Sequence, residues 1–213
     1  SDNNIFFLFQ PAEETGDGAK ECATFIEEHN INEIFAFHNM PGFPLNTVAV
    51  RDGIMHCASK GMSIYMKGVP THASIPENGK NPSYAIAEII KNIPDLIKPE
   101  NYKGLILCTI VQIDVGQKAF GVAASEGVLR LTLRGQYEEE MDNLQRNIEQ
   151  ITEEQAKIYG LECYFEFDDV FPETKNHEES VDKIKAVCKD LDIKCIDLPD
   201  PQRGSEDFGY YTK

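Results

Sequence analysis

Ile5-Phe6-Phe7-Leu8-Phe9-Gln10-Pro11-Ala12-Glu13-Glu14-Thr15-Gly16-Asp17-Gly18 joins a short apolar run to two adjacent carboxylates and a glycine-rich turn. The run is aromatic, continuous and bounded by turn residues, which predicts a fully buried strand over 5–9. Such a strand leading into a helix belongs to an α/β sheet. Glu13 and Glu14 would then lie at its carboxyl edge, where open α/β sheets hold their ligands. Neighbouring side chains on an extended or turning backbone diverge, so one carboxylate can face a metal while the other reaches a water. The competing reading is two solvated carboxylates at a helix start, favoured there by the macrodipole. The residues of this stretch alone leave both open.

Outward from that stretch, apolar spacing predicts four helices. The first covers about Gly18 to His29. The second opens at Asn81-Pro82, an N-cap with proline at the first helical position, and should stop at Pro94. The third spans Glu138 to Tyr159 with Gly160 as its stop, and the fourth Glu178 to Asp190. Strands are predicted at Glu33–Phe37, Thr47–Arg51, Gly61–Lys67, Leu105–Val115, Val128–Arg134 and Leu161–Phe167, with Ile93–Tyr102 as a surface loop. From about residue 60 the order is strand, helix, strand, strand, helix, strand, the split βαβ or ferredoxin-like order. The flanking pieces carry too few strands for a sheet of their own. The expected organisation is therefore an α/β protein: an incomplete α/β domain over 1–58 and 168–213, with a ferredoxin-like α+β domain inserted over 59–167.

With 213 residues, 41% of them hydrophobic, the chain has ample material for a core. Its formal net charge of −16 argues against nucleic acid or an anionic membrane surface as partner. No apolar stretch approaches the roughly 20 residues of a membrane span. Six cysteines without CxxC spacing read as reduced, mostly buried thiols, and a cytoplasmic location is expected. The chain starts without Met, almost at once in an apolar run, and reads as a fragment or a processed form. His38 follows the Glu33–Phe37 run and should share an edge with Glu13 and Glu14; an ordinary polar strand end and a metal ligand are both compatible with that place. His72 lies in a loop flanked by Gly and Pro, solvated or catalytic. His29 suits a helix C-terminus, and His56 and His177 read as structural or solvated. The Thr15–Ala19 turn lacks the third glycine of a dinucleotide fingerprint and the Gly-Lys-Ser/Thr of a P-loop. No G-x-S-x-G elbow is present.

Four motifs in series carry a resemblance: Phe9-Gln10-Pro11-Ala12-Glu13-Glu14, Ala36-Phe37-His38-Asn39 with Pro41-Gly42, Thr71-His72-Ala73-Ser74-Ile75-Pro76 with Gly79-Lys80-Asn81-Pro82, and Gly204-Ser205-Glu206-Asp207-Phe208. Together the chain resembles the dinuclear metal-dependent amidohydrolases of the aminoacylase, hippurate hydrolase, acetyl-diaminopimelate deacetylase and auxin-conjugate hydrolase type. The resemblance implies a catalytic α/β domain of the phosphorylase/hydrolase-like kind, with an inserted lid that forms a homodimer. It implies cleavage of N-acyl amino acids, or similar small amides, by a water activated on two divalent metal ions, Zn or Mn. Glu13 matches the general base, Glu14 a metal ligand, His38 a second-metal ligand, and His72 a lid histidine that, in the family, reaches the substrate carbonyl in the partner subunit's active site. Arg134, in Leu131-Thr132-Leu133-Arg134, resembles a lid arginine near the substrate carboxylate. The family's other ligands, a Cys and a His in an upstream Cys-Gly-His-Asp-like motif and a late His, have no counterpart, so the chain alone is expected to bind metal weakly and to be inactive. Gly121 stands where relatives usually carry a lid asparagine. Two other classes stay open: a non-catalytic dimerisation module and a nucleotide-binding α/β protein using the Gly16-Asp17-Gly18 turn.

Overall fold

A computed structural model describes residues 4–212. In chain order the elements are α1 (Gly18–Glu28), β1 (Thr47–Val50), β2 (Gly53–His56), β3 (Ala58–Lys67), β4 (Thr71–His72), α2 (Pro82–Leu96) and β5 (Ile106–Val115). Then follow β6 (Val122–Ala123), β7 (Glu126–Gly135), α3 (Glu138–Tyr159), β8 (Glu162–Phe171), β9 (Thr174–Asn176), α4 (Glu178–Asp190) and β10 (Lys194–Asp197). Two compact units result: the chain up to Cys57 together with Phe171 onward, and Ala58–Val170. No helix among the described residues is long and apolar enough to cross a membrane.

The Ala58–Val170 unit is built on a four-stranded sheet in the order β5-β7-β3-β8, with α2 and α3 as its helices, the split βαβ arrangement read from the sequence. β3 and β7 pair antiparallel along their whole length, from Ala58↔Gly135 to Lys67↔Glu126. Alternation puts Met62, Ile64 and Met66 with Leu129, Leu131 and Leu133 into one buried cluster. Ile86, Ile89 and Ile93 of α2 join that cluster, as do Met141, Leu144 and Ile148 of α3. Each such side chain contributes about 1.5–3 kcal/mol by leaving water. Off that core, Tyr65 stacks on Tyr164 at 4.6 Å, and the Arg130 guanidinium sits 5.8 Å from the Tyr65 ring centre.

Local signals explain the helix ends. Asn81 accepts a hydrogen bond from the Ser83 amide at 2.9 Å, capping α2 just before Pro82. α3 opens on Glu138, Glu139 and Glu140 and closes on Gly160 at φ 65, where a side chain would be strained. α2 departs from expectation: it passes through Pro94 to Leu96, so Ile93–Tyr102 is not simply a loop. Ile93 is buried and Leu96 packs on the core, and that packing holds the last turn although Pro94 brings no amide hydrogen.

The other unit has two short ladders. β1 runs parallel to β10, from Thr47↔Lys194 to Val50↔Asp197, and β2 runs antiparallel to β9. Two expected strands are not formed. Residues 5–9 and 33–37 carry no ladder among the described residues, and Phe7, Phe9 and Phe37 are 83%, 92% and 86% exposed. A continuous apolar run becomes a buried strand only where neighbours satisfy its backbone and cover its faces. Among the described residues of these runs, Phe6 packs edge-on to Phe25 and His29. None of the six cysteines forms a disulfide among the described residues; Cys57 and Cys188 are buried and the other four half-buried, fewer buried than expected. Burial pushes the Cys108 thiol up to about 12.

Candidate active site

The turn that carries Glu13 is held from the C-terminal end of the chain. Asp207, buried at 2% exposure, accepts hydrogen bonds from the Ala19 amide at 2.9 Å and from Gln10 Nε2 at 2.6 Å. Gln10 Oε1 in turn accepts from the Tyr211 hydroxyl at 2.7 Å. Asp17, at the N-cap position of α1, makes no side-chain cap bond, so Asp207 takes that part. Gly18 is required here: a Cβ on it would lie 1.6 Å from the Pro11 carbonyl oxygen. Glu13–Thr15 then forms a single 3-10 turn between Ala12 at φ 52 and Gly16 at φ 75.

A cavity of about 620 Å³ opens beside this turn, lined by Glu13, His38, His56, Glu206 and a largely apolar wall that includes Phe37 and Phe208. His38 Nε2 lies 3.0 Å from Glu206 Oε1. Burial pushes the Glu206 carboxyl up to about 7; His38 opposes that shift, and Glu13, hydrogen-bonded to Glu206, adds to it. His38 and Glu13 thus meet through Glu206. Glu14 is exposed and is not among the residues lining the cavity.

His56, expected to be structural or solvated, is 7% exposed, with both ring nitrogens unpaired. Its ring centre is 6.4 Å from that of His38. Burial, and secondarily the nearby His38, lowers its pKa to about 4, so it stays a neutral imidazole. Orphaned imidazole nitrogens and a carboxylate facing a second histidine are donors suited to Zn or Mn. The set is partial: among the described residues no group of three or more His, Cys, Asp or Glu side chains is placed to hold a metal ion. Glu206 and Asp207 were visible in the sequence only as part of a motif without assigned roles. Gln10 likewise stood in a quoted motif without a role, while His56 and Tyr211 gave no signal of a site, since their significance lies in partners distant along the chain.

His72 and Arg134 belong to the Ala58–Val170 unit. His72 ends β4, which pairs with β6 as His72↔Val122, and its side chain is exposed. Arg134 is half-buried on β7, one position beyond the core residue Leu133. Gly121 accepts the Ala73 amide at 3.0 Å, and nothing lies within 4 Å of where its Cβ would be. The fold therefore does not demand glycine there.

The chain is thus a mixed α/β protein with a carboxylate–histidine cavity in one unit and an exposed histidine at the end of β4 in the other. The chain belongs to peptidase family M20/M25/M40, whose family model matches residues 1–213. An N-acetyldiaminopimelate deacetylase from Exiguobacterium sibiricum is 26% identical over 214 residues, spanning 99% of this chain and 57% of its own length. An N-acetylcysteine deacetylase from Bacillus subtilis is 25% identical over 211 residues, spanning 98% of this chain and 55% of its own length. The crystal structure of a Bacillus subtilis protein, described as a dinuclear metal-binding peptidase of the M20 family, shares the fold. Its TM-score is 0.72 at 21% identity, over 96% of this chain and 51% of that one. The chain thus spans about half the length of the curated relatives it matches.

Proposed function

We propose that the protein carrying this chain is a metal-dependent amidohydrolase that cleaves N-acyl amino acids or similar small amides to an acid and a free amine. The observation that carries the reading is the His38–Glu206 pair at 3.0 Å with Glu13 in the same cavity. The deacetylase names of the relatives support the substrate class. Two divalent cations, Zn or Mn, would be held in part by His38 at the cavity and by Glu14, which would have to turn in from its exposed position, with further ligands from outside the described residues. When bound they polarise the amide carbonyl and ease ionisation of water. Glu13 accepts the proton of the attacking water and returns it to the departing amine. His72 donates a hydrogen bond to the carbonyl oxygen as charge builds on it, and Arg134 pairs with the substrate carboxylate.

The Ala58–Val170 unit is read as a lid and dimerisation domain. β5 supports this: it is an edge strand of the sheet, with Val111 and Ile113 61% and 52% exposed. The reading is tested in the full-length protein by assaying release of free amino acid from N-acetyl amino acids with Zn or Mn. Glu13→Gln should keep the metal and lose turnover by a factor of about 100 or more. Near-normal turnover removes Glu13 as base. Robust hydrolysis by residues 1–213 alone shows the ligand assignment to be wrong.

A further inference from the structure

Among the described residues, the His72 ring is anchored through Nδ1. Its backbone carbonyl accepts the Ile75 amide at 3.0 Å, closing a turn over 72–75. Inside that turn the ring bends back, and Nδ1 accepts the Ser74 amide at 3.2 Å. The Ser74 hydroxyl lies 2.7 Å from the same nitrogen. Thr71 Oγ1 donates to the Ile75 carbonyl at 3.1 Å, and the Ala73 amide bonds to Gly121, so the turn is tied at both sides.

The chemistry of these contacts fixes a proton. A backbone amide can only donate, so Nδ1 must present its lone pair to Ser74. An Nδ1–H would point a hydrogen at the amide hydrogen. The hydroxyl of Ser74 donates or accepts as needed and therefore follows the amide. In the neutral ring the proton then resides on Nε2, the nitrogen left outside the turn.

We propose that Ser74 is a positioning residue that holds His72 in the Nε2–H tautomer, so that the exposed nitrogen is a hydrogen-bond donor. This rests on the reading of His72 as the donor to the substrate carbonyl and says how the chain readies it for that part. A ring in the other tautomer would offer a lone pair at Nε2 and repel a developing oxyanion. The turn sets the tautomer before any ligand arrives, so no proton has to move between ring nitrogens during binding. The Ser74 amide and hydroxyl, both directed at Nδ1, also limit ring rotation, which keeps the Nε2–H direction fixed relative to β4.

The test uses the 213-residue chain labelled with 15N-histidine, at a pH where His72 is neutral. Long-range 1H–15N correlation should show His72 Nδ1 as an unprotonated acceptor and Nε2 as protonated. Ser74→Ala keeps the amide and should keep that pattern. Ser74→Pro removes both donors, and the Nε2–H to Nδ1–H ratio should fall roughly fivefold, the value of one neutral hydrogen bond. An Nδ1–H tautomer in the unsubstituted chain overturns the proposal, and this holds whether or not Ser74→Pro folds. An unchanged ratio in a folded Ser74→Pro variant also overturns it. In the full-length protein, Ser74→Pro should lower kcat with KM little changed, while Ser74→Thr retains activity. Normal kcat in His72→Ala would overturn the catalytic reading of His72 and leave the tautomer result standing, so the two failures are distinct.

Discussion

Asp207 caps the first helix from 188 residues away: its Oδ2 accepts the Ala19 amide at 2.9 Å and the Gln10 side chain at 2.6 Å. Replacing it by Ala leaves the buried Ala19 amide and the half-buried Gln10 side chain without this acceptor. Asp207→Ala should destabilise the chain by about 1–3 kcal/mol. Asp207→Asn retains one acceptor oxygen and should cost less. Urea unfolding of the two variants against the parent measures this, and equal midpoints would remove the cap from the account.

His56 gives a pH dependence whose sign is fixed. Its folded pKa of about 4 lies below the ordinary 6.5, so the folded protein binds fewer protons than the unfolded chain. Its contribution is full above pH 6.5 and is lost as pH falls toward 4, about 3 kcal/mol in all. Glu206 acts in the opposite sense, since its pKa is raised from 4.5 to about 7. That contribution is full below pH 4.5 and is lost as pH rises through 7. Unfolding free energies of the parent and His56→Gln should therefore converge or cross between pH 7 and pH 4. A constant difference across that range would place His56 in contact with water.

Leu131 tests the sheet–helix core. It is 1% exposed at the centre of β7, opposite Met62. Leu131→Ala should cost about 2–5 kcal/mol. Ile113→Ala, on the exposed edge strand, should cost less than about 1 kcal/mol. Comparable losses at the two positions would contradict the burial described.

Metal addition probes the partial ligand set. With no group of three ligands among the described residues, Zn or Mn should stabilise the 213-residue chain only slightly. The gain is about 0.4 kcal/mol when the metal concentration equals the dissociation constant. A shift of several kcal/mol at micromolar metal would mean that the chain completes a site by itself.

Legibility in the sequence followed the reach of the interactions. α3 and α4 occupy the residues that periodicity assigned, because a wide apolar stripe with acidic first turns is local information. The β3-α2-β5-β7-α3-β8 order was readable for the same reason. The runs at 5–9 and 33–37 misled because apolar composition states a demand for neighbours and does not show that neighbours are present. Pro94 misled because the packing of Ile93 and Leu96 outweighed a local rule. At the site, Glu13 and His38 were found through motif order, whereas Glu206 as the residue between them emerged only from the fold.

The ladders β1–β10 and β2–β9 have a consequence for biosynthesis. Both join strands near residue 50 to strands beyond residue 170, so neither can form until most of the chain has left the ribosome. The Ala58–Val170 unit, by contrast, has every strand of its four-stranded sheet within one continuous stretch. It can fold during translation before the two ladders of the other unit can form.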